Sequence, residues 1–118
     1  MDQTKEIVKL AVNALEDKKA RDVTVLDISR VTVIADYFII ASGDNERQVT
    51  ALADSVDEVL GRAGHVKKSI EGYATRRWIL MDYGDVVIHI FNTEDRLFYD
   101  LERIWRDGKR VTKEELEV

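Results

Sequence analysis

Two runs of almost unbroken apolar residues, Trp78-Ile-Leu-Met and Val86-Val-Ile-His-Ile-Phe91, face each other across the polar tetrapeptide Asp82-Tyr83-Gly84-Asp85. The pattern predicts a β-hairpin. Glycine and aspartate supply the backbone angles of a tight reversal, and the β-branched and aromatic flanks favour a pleated surface. Because each strand is apolar at nearly every position, both faces are expected to be covered, as in the middle of a sheet flanked by helices. Upstream, Ile7, Val8, Ala11, Ala14 and Leu15 recur at helical spacing behind a cap at Asp2 or Thr4, predicting a helix of about four turns that ends near Lys18-Lys19. Val23 to Asp27 alternates as a strand, Asp36 to Gly43 reads as a second and almost fully apolar one, and Ser29 to Ala35 links them.

A second helix is expected to begin at Asp44-Asn45, whose short polar side chains accept free amides of a first turn. Val49, Leu52, Ala53, Val56, Val59, Leu60 and Ala63 form its apolar stripe, and Gly61 and Gly64 loosen and stop it. Val66 to Glu71 reads as a third strand, leading through a basic loop with Arg76 and Arg77 into the hairpin. After Phe91, Thr93 caps a predicted last helix whose inward face is Leu97, Phe98, Leu101, Ile104 and Trp105, with Gly108 as its stop. The expected order is α-β-β-α-β-β-β-α. It corresponds to an α/β (α+β) architecture with a mixed five-stranded sheet flanked by helices. One domain over residues 1–108 is expected, followed by a charged surface tail over 109–118.

Length fits that reading, since 118 residues can bury a core without covalent staples. With no cysteine, disulfides, thiolate metal sites and cysteine nucleophiles are excluded. The charged start, Asp2-Gln-Thr-Lys-Glu, is unlike a secretion signal, and no apolar run approaches the roughly 20 residues of a membrane helix, so a cytosolic protein without membrane contact is expected. A formal charge of −5 argues against direct DNA binding and for a basic partner.

The residues that could carry catalysis are few. His65 and His89 are the two imidazoles, and His89 sits in an apolar strand on the face of Val87 and Phe91, which favours a core role over a catalyst or metal ligand. Asp82 and Asp85 could coordinate magnesium, yet turn aspartates more often bond neighbouring amides. Ser42-Gly43 precedes a helix but lacks the glycines and lysine of a phosphate loop, so a tight strand-to-helix turn is the favoured reading. Nucleotidyl transfer, the enzyme class that suits this architecture, needs two carboxylates one residue apart on a strand, and no Asp-x-Asp or Glu-x-Glu lies on any expected strand. No catalytic residue, cofactor or metal site is expected.

Taken together, Asp36-Tyr-Phe-Ile-Ile-Ala-Ser-Gly43, Arg47-Gln48, Ala53-Asp54, Glu71-Gly72, Trp78 to Phe91 and Arg96-Leu-Phe-Tyr-Asp-Leu-Glu102 closely resemble the ribosomal silencing factor (RsfS, or Iojap) family. The resemblance spans Lys5 to Trp105. It implies a non-enzymatic translation repressor with a nucleotidyltransferase-like fold lacking the catalytic carboxylates. It also implies a protein that binds large-subunit ribosomal protein fourteen where the small subunit docks, and so blocks subunit joining when nutrients run short. Homodimers occur in the family. The competing readings are a vestigial or cryptic nucleotide-using enzyme and an adapter between other proteins. The basic loop at Arg76-Arg77 and the tail after Gly108 lie outside the matching motifs.

Strand alternation puts Trp78, Leu80 and Asp82 on one face of the hairpin and Ile79, Met81 and Tyr83 on the other. If the Trp78 face is partly open, it combines an aromatic anchor, an aliphatic side chain and a carboxylate, a composition suited to a basic protein partner. The alternative for Trp78 is ordinary burial. The expected contact set is Trp78, Leu80, Asp82, Tyr83, Asp85 and Arg47. Arg47 joins it because a cation in the first turn of a helix opposes the helix dipole, though a surface salt bridge would also account for it.

Overall fold

The computed structural model describes residues 3–93 and 109–112. Within them, helix α1 (Gln3–Asp17) leads into β1 (Arg21–Asp27) and β2 (Tyr37–Gly43), followed by α2 (Glu46–Arg62), β3 (Ser69–Glu71), β4 (Trp78–Asp82), β5 (Val86–Asn92) and β6 (Lys109–Arg110). The strands form one mixed sheet in the order β3-β4-β5-β2-β1-β6. All neighbours are antiparallel except the central pair, β2 and β5, which run parallel from Tyr37↔Val86 to Gly43↔Asn92.

Both described helices lie on one face. Val8, Ala11 and Leu15 of α1 and Val49, Leu52, Val56 and Leu60 of α2 close over Val25, Ile39, Ala41, Ile79, Met81, Ile88 and Ile90 from the sheet. The helices meet the sheet through their apolar stripes, as the spacing requires. Asn45 caps α2 by accepting the Gln48 amide at 2.8 Å, and the Gln48 side chain accepts the Asp44 amide at 2.7 Å. The same side chain donates to the Lys18 and Lys19 carbonyls at 3.3 and 3.1 Å, tying the start of α2 to the end of α1. At the other end, His65 N donates to Leu60 O and Gly64 N to Gly61 O, which satisfies carbonyls of the last turn. The opposite face carries a second apolar cluster of Leu26, Ile28, Ala35, Phe38, Ile40, Val87 and Phe91, with Trp78 and Leu80 packed against it.

Three expectations are corrected. The sheet has six strands instead of five, because Lys109 and Arg110 at the start of the presumed tail pair with Asp27 and Leu26. Such a pairing uses backbone groups alone and leaves no apolar pattern to read. The third strand begins at Ser69 instead of Val66, and Val66 is exposed. Coverage of the hairpin is unequal: β5 is buried on both faces from Val86 to Phe91, whereas β4 alternates, with Ile79 and Met81 buried under the helices and Trp78, Leu80 and Asp82 half-buried on the opposite face. The predicted last helix lies outside the described residues, apart from Thr93, whose hydroxyl donates to the Gly43 carbonyl at 2.8 Å.

Candidate functional site

The hairpin register pairs Trp78 with Phe91, Leu80 with His89 and Asp82 with Val87. All six side chains therefore share the sheet face opposite α1 and α2, and the parallel register extends that face to Phe38 and Ile40 on β2. Burial grades across it. Phe38, Ile40, Val87, His89 and Phe91 are buried, whereas Trp78, Leu80 and Asp82 are half-buried. The indole of Trp78 stacks on Phe91 with ring centres 5.2 Å apart, and its Nε1 donates to His89 Nδ1 at 3.1 Å. Phe38 packs edge-on against the His89 ring at 4.7 Å.

That hydrogen bond decides the state of His89. Nδ1 accepts, so the neutral ring carries its proton on Nε2, an atom without a hydrogen-bond partner among the described residues. Burial lowers its pKa from 6.5 to about 4, so it stays uncharged at neutral pH. The core role expected for His89 is half satisfied: one nitrogen has a partner and the other has none.

The hairpin turn is built by Asp82, whose Oδ1 accepts the Gly84 amide at 2.8 Å, and by Tyr83 N donating to Val86 O at 2.9 Å. Gly84 has φ +92°, a left-handed angle at which a β-carbon is strained. This is the amide-bonding role expected for a turn aspartate. Asp85 is exposed, and its carbonyl accepts the amides of Asp36 and Tyr37 at 2.8 and 3.0 Å. The acidic turn is thereby fixed beside the Ser29 to Ala35 linker, which exposes Val31, Val33 and Ile34. At the other end of β4, a β-carbon on Gly72 would lie 2.0 Å from the Trp78 carbonyl oxygen, so the Glu71-Gly72 motif allows the loop to cross directly over the start of the strand.

Two of the expected contact residues stand apart from this face. Tyr83 is 8% exposed and packs in the core beneath the helices; burial, and secondarily Asp57, push its phenol up to about 12. Its side chain is not presented as a surface group. Arg47 is exposed at the start of α2, where it shares an open groove with Asn45, Glu46 and Arg76. Ser42 is fully buried, a β-carbon at Gly43 would come within 3.0 Å of the Val49 amide, and Asn45 already occupies the Gln48 amide. That is a packed strand-to-helix turn. Among the described residues, no group of three or more histidines and carboxylates is close enough to hold a metal ion, and no helix is long and apolar enough to cross a membrane.

Sequence reading missed the acceptor role of His89. Its cross-strand position followed from the turn, but the rotamer that aims the indole nitrogen at it did not.

The fold and its half-open face define an α+β protein with a mixed sheet and an aromatic patch ending in a carboxylate turn. The chain belongs to the ribosomal silencing factor family: the model described as "Ribosomal silencing factor during starvation" matches residues 1–118. A ribosomal silencing factor RsfS from Halalkalibacterium halodurans is 43% identical over 109 residues, covering 92% of this chain and 93% of the relative. A crystal structure of a Chromobacterium violaceum protein superposes with a TM-score of 0.86 at 42% identity, covering 95% of this chain and 92% of that one. More distantly, the mouse protein named mitochondrial assembly of ribosomal large subunit protein 1 is 31% identical over 104 residues, 83% of this chain and 44% of the relative.

Proposed function

We propose that this protein binds the large ribosomal subunit through large-subunit ribosomal protein fourteen and sterically blocks its joining with the small subunit, repressing translation under nutrient limitation. The observation that carries the reading is the half-buried Trp78-Leu80-Asp82 edge of an otherwise buried face. An indole and a leucine that remain partly open beside two acidic groups, Asp82 and exposed Asp85, suit a basic protein surface. Family membership supports a ribosomal target, and the large-subunit name of the mouse relative agrees with the choice of subunit. On this reading the protein works in the cytosol and by exclusion, with no reaction to catalyse.

The test is co-sedimentation of the purified protein with isolated large subunits and with assembled ribosomes, followed by light-scattering measurements of subunit joining. Binding to free large subunits, with joining reduced in proportion to occupancy and without nucleotide, is the expected result. Unchanged joining at saturating protein, or ATP or GTP turnover by the pure protein, would overturn the reading.

A further inference from the structure

We propose that His89 is a positioning residue for the binding face: by accepting the indole N–H of Trp78 it fixes which part of that side chain a partner meets. The inference rests on the reading that Trp78 contacts the partner. Trp78 Nε1 lies 3.1 Å from His89 Nδ1, and the indole is held from a second direction by stacking on Phe91. His89 in turn is 4% exposed, sits on β5, flanked by β4 and β2 inside the sheet, and is gripped edge-on by Phe38. Two contacts at different angles leave the indole one orientation, and its N–H points into the protein.

An imidazole is a costly way to fill this volume. A phenylalanine or leucine would pack among Phe38, Ile40, Val87 and Phe91 without leaving a buried Nε2 that has no partner among the described residues. What those side chains lack is an acceptor for the indole nitrogen. Without one, the N–H would turn toward water, and the ring would have to be re-ordered each time a partner bound, a cost that pre-organisation removes. With its N–H committed inward, Trp78 offers a partner apolar and π surface and no donor.

The experiment compares wild type, His89→Phe and His89→Asn by ¹⁵N NMR and by titration against isolated large subunits. Asparagine places an amide oxygen near the position of Nδ1; phenylalanine keeps the ring volume and removes the acceptor. The Trp78 indole resonance is assigned by its loss in Trp78→Phe. Wild type is expected to show a solvent-protected indole N–H and a neutral imidazole protonated on Nε2. His89→Phe is expected to lose that protection and to bind about tenfold more weakly, and His89→Asn to recover both. A wild-type indole N–H that exchanges freely, or an imidazole protonated on Nδ1, overturns the proposal without any variant having to fold. So does His89→Phe binding as tightly as wild type while Trp78→Ala binds poorly. If Trp78→Ala also binds normally, the proposed role of the Trp78 face itself fails.

Discussion

Acidification should destabilise this protein through His89, and the loss can be worked from its burial. In the unfolded chain His89 takes up a proton as pH falls through 6.5; in the folded chain it resists until about 4, because a charged imidazole would be desolvated among Phe38, Ile40 and Phe91. Between those values the unfolded state binds more protons than the folded state, so stability falls as pH falls. It is complete above 6.5 and declines through the window down to about 4 at close to 1.4 kcal/mol per pH unit, summing to about 3 kcal/mol. That is a large part of the roughly 5–15 kcal/mol that holds a domain together. Protonation also turns Nδ1 into a donor facing the Trp78 N–H, so the hydrogen bond to the indole is lost at the same step. Urea unfolding at several pH values between 7.5 and 4.5, on wild type and His89→Phe, isolates the effect, since every other group of the chain is common to both. The stability of wild type relative to the variant should drop by about 2.5 kcal/mol from the top of the range to the bottom. Parallel loss in the two proteins across the window would refute the assignment.

Further outcomes are expected at the hairpin and its supports. Gly72→Ala should cost about 2 kcal/mol or more in urea unfolding, because the new β-carbon would collide with the Trp78 carbonyl at a φ of +79°; a variant as stable as wild type would show that the loop can move aside. Asp82→Asn keeps an acceptor for the Gly84 amide and removes the charge, so melting temperature should hold while association with large subunits slows and loses part of its salt dependence in stopped-flow measurements. Trp78→Ala should weaken binding by about 30-fold, the loss of roughly 2 kcal/mol typical of an aromatic anchor. Because Trp78 is half-buried and supplies the donor to His89, some loss of stability should accompany it, and Trp78→Phe should recover more stability than binding. Gln48→Ala removes a side chain that accepts the Asp44 amide and donates to Lys18 and Lys19, and should cost about 1 kcal/mol of stability without changing affinity.

Much of the fold could be read in the sequence because its central elements repeat with a clean period. The stripe from Val49 to Leu60, the cap at Asn45 and the hairpin around Gly84 are local patterns, and each forms where its spacing puts it. What escaped depends on partners distant in the chain. Lys109 and Arg110 carry no strand signal and join the sheet only because β1 offers a free edge. Val66 looks like the start of a strand, yet β4 offers ladder partners only from Ser69 onward. For the candidate site, alternation sorted Trp78, Leu80 and Asp82 from Tyr83, but composition could not show that Arg47 would lie with Arg76 in a separate groove, nor that a core-looking histidine would take the indole proton.

The parallel pairing of β2 with β5 has a consequence for how the chain is made. Synthesis delivers β1 and β2 early, and they can zip together as antiparallel neighbours, but β2's other edge must wait for α2, β3, β4 and the turn at Asp85 to emerge before Val86 reaches Tyr37. During that interval a strand whose residues are almost all buried in the finished protein presents bare amides and carbonyls along Phe38-Ile-Ile-Ala41. A polypeptide released before β5 is therefore an aggregation-prone fragment, and complete translation of the hairpin is the step that makes this molecule safe to release.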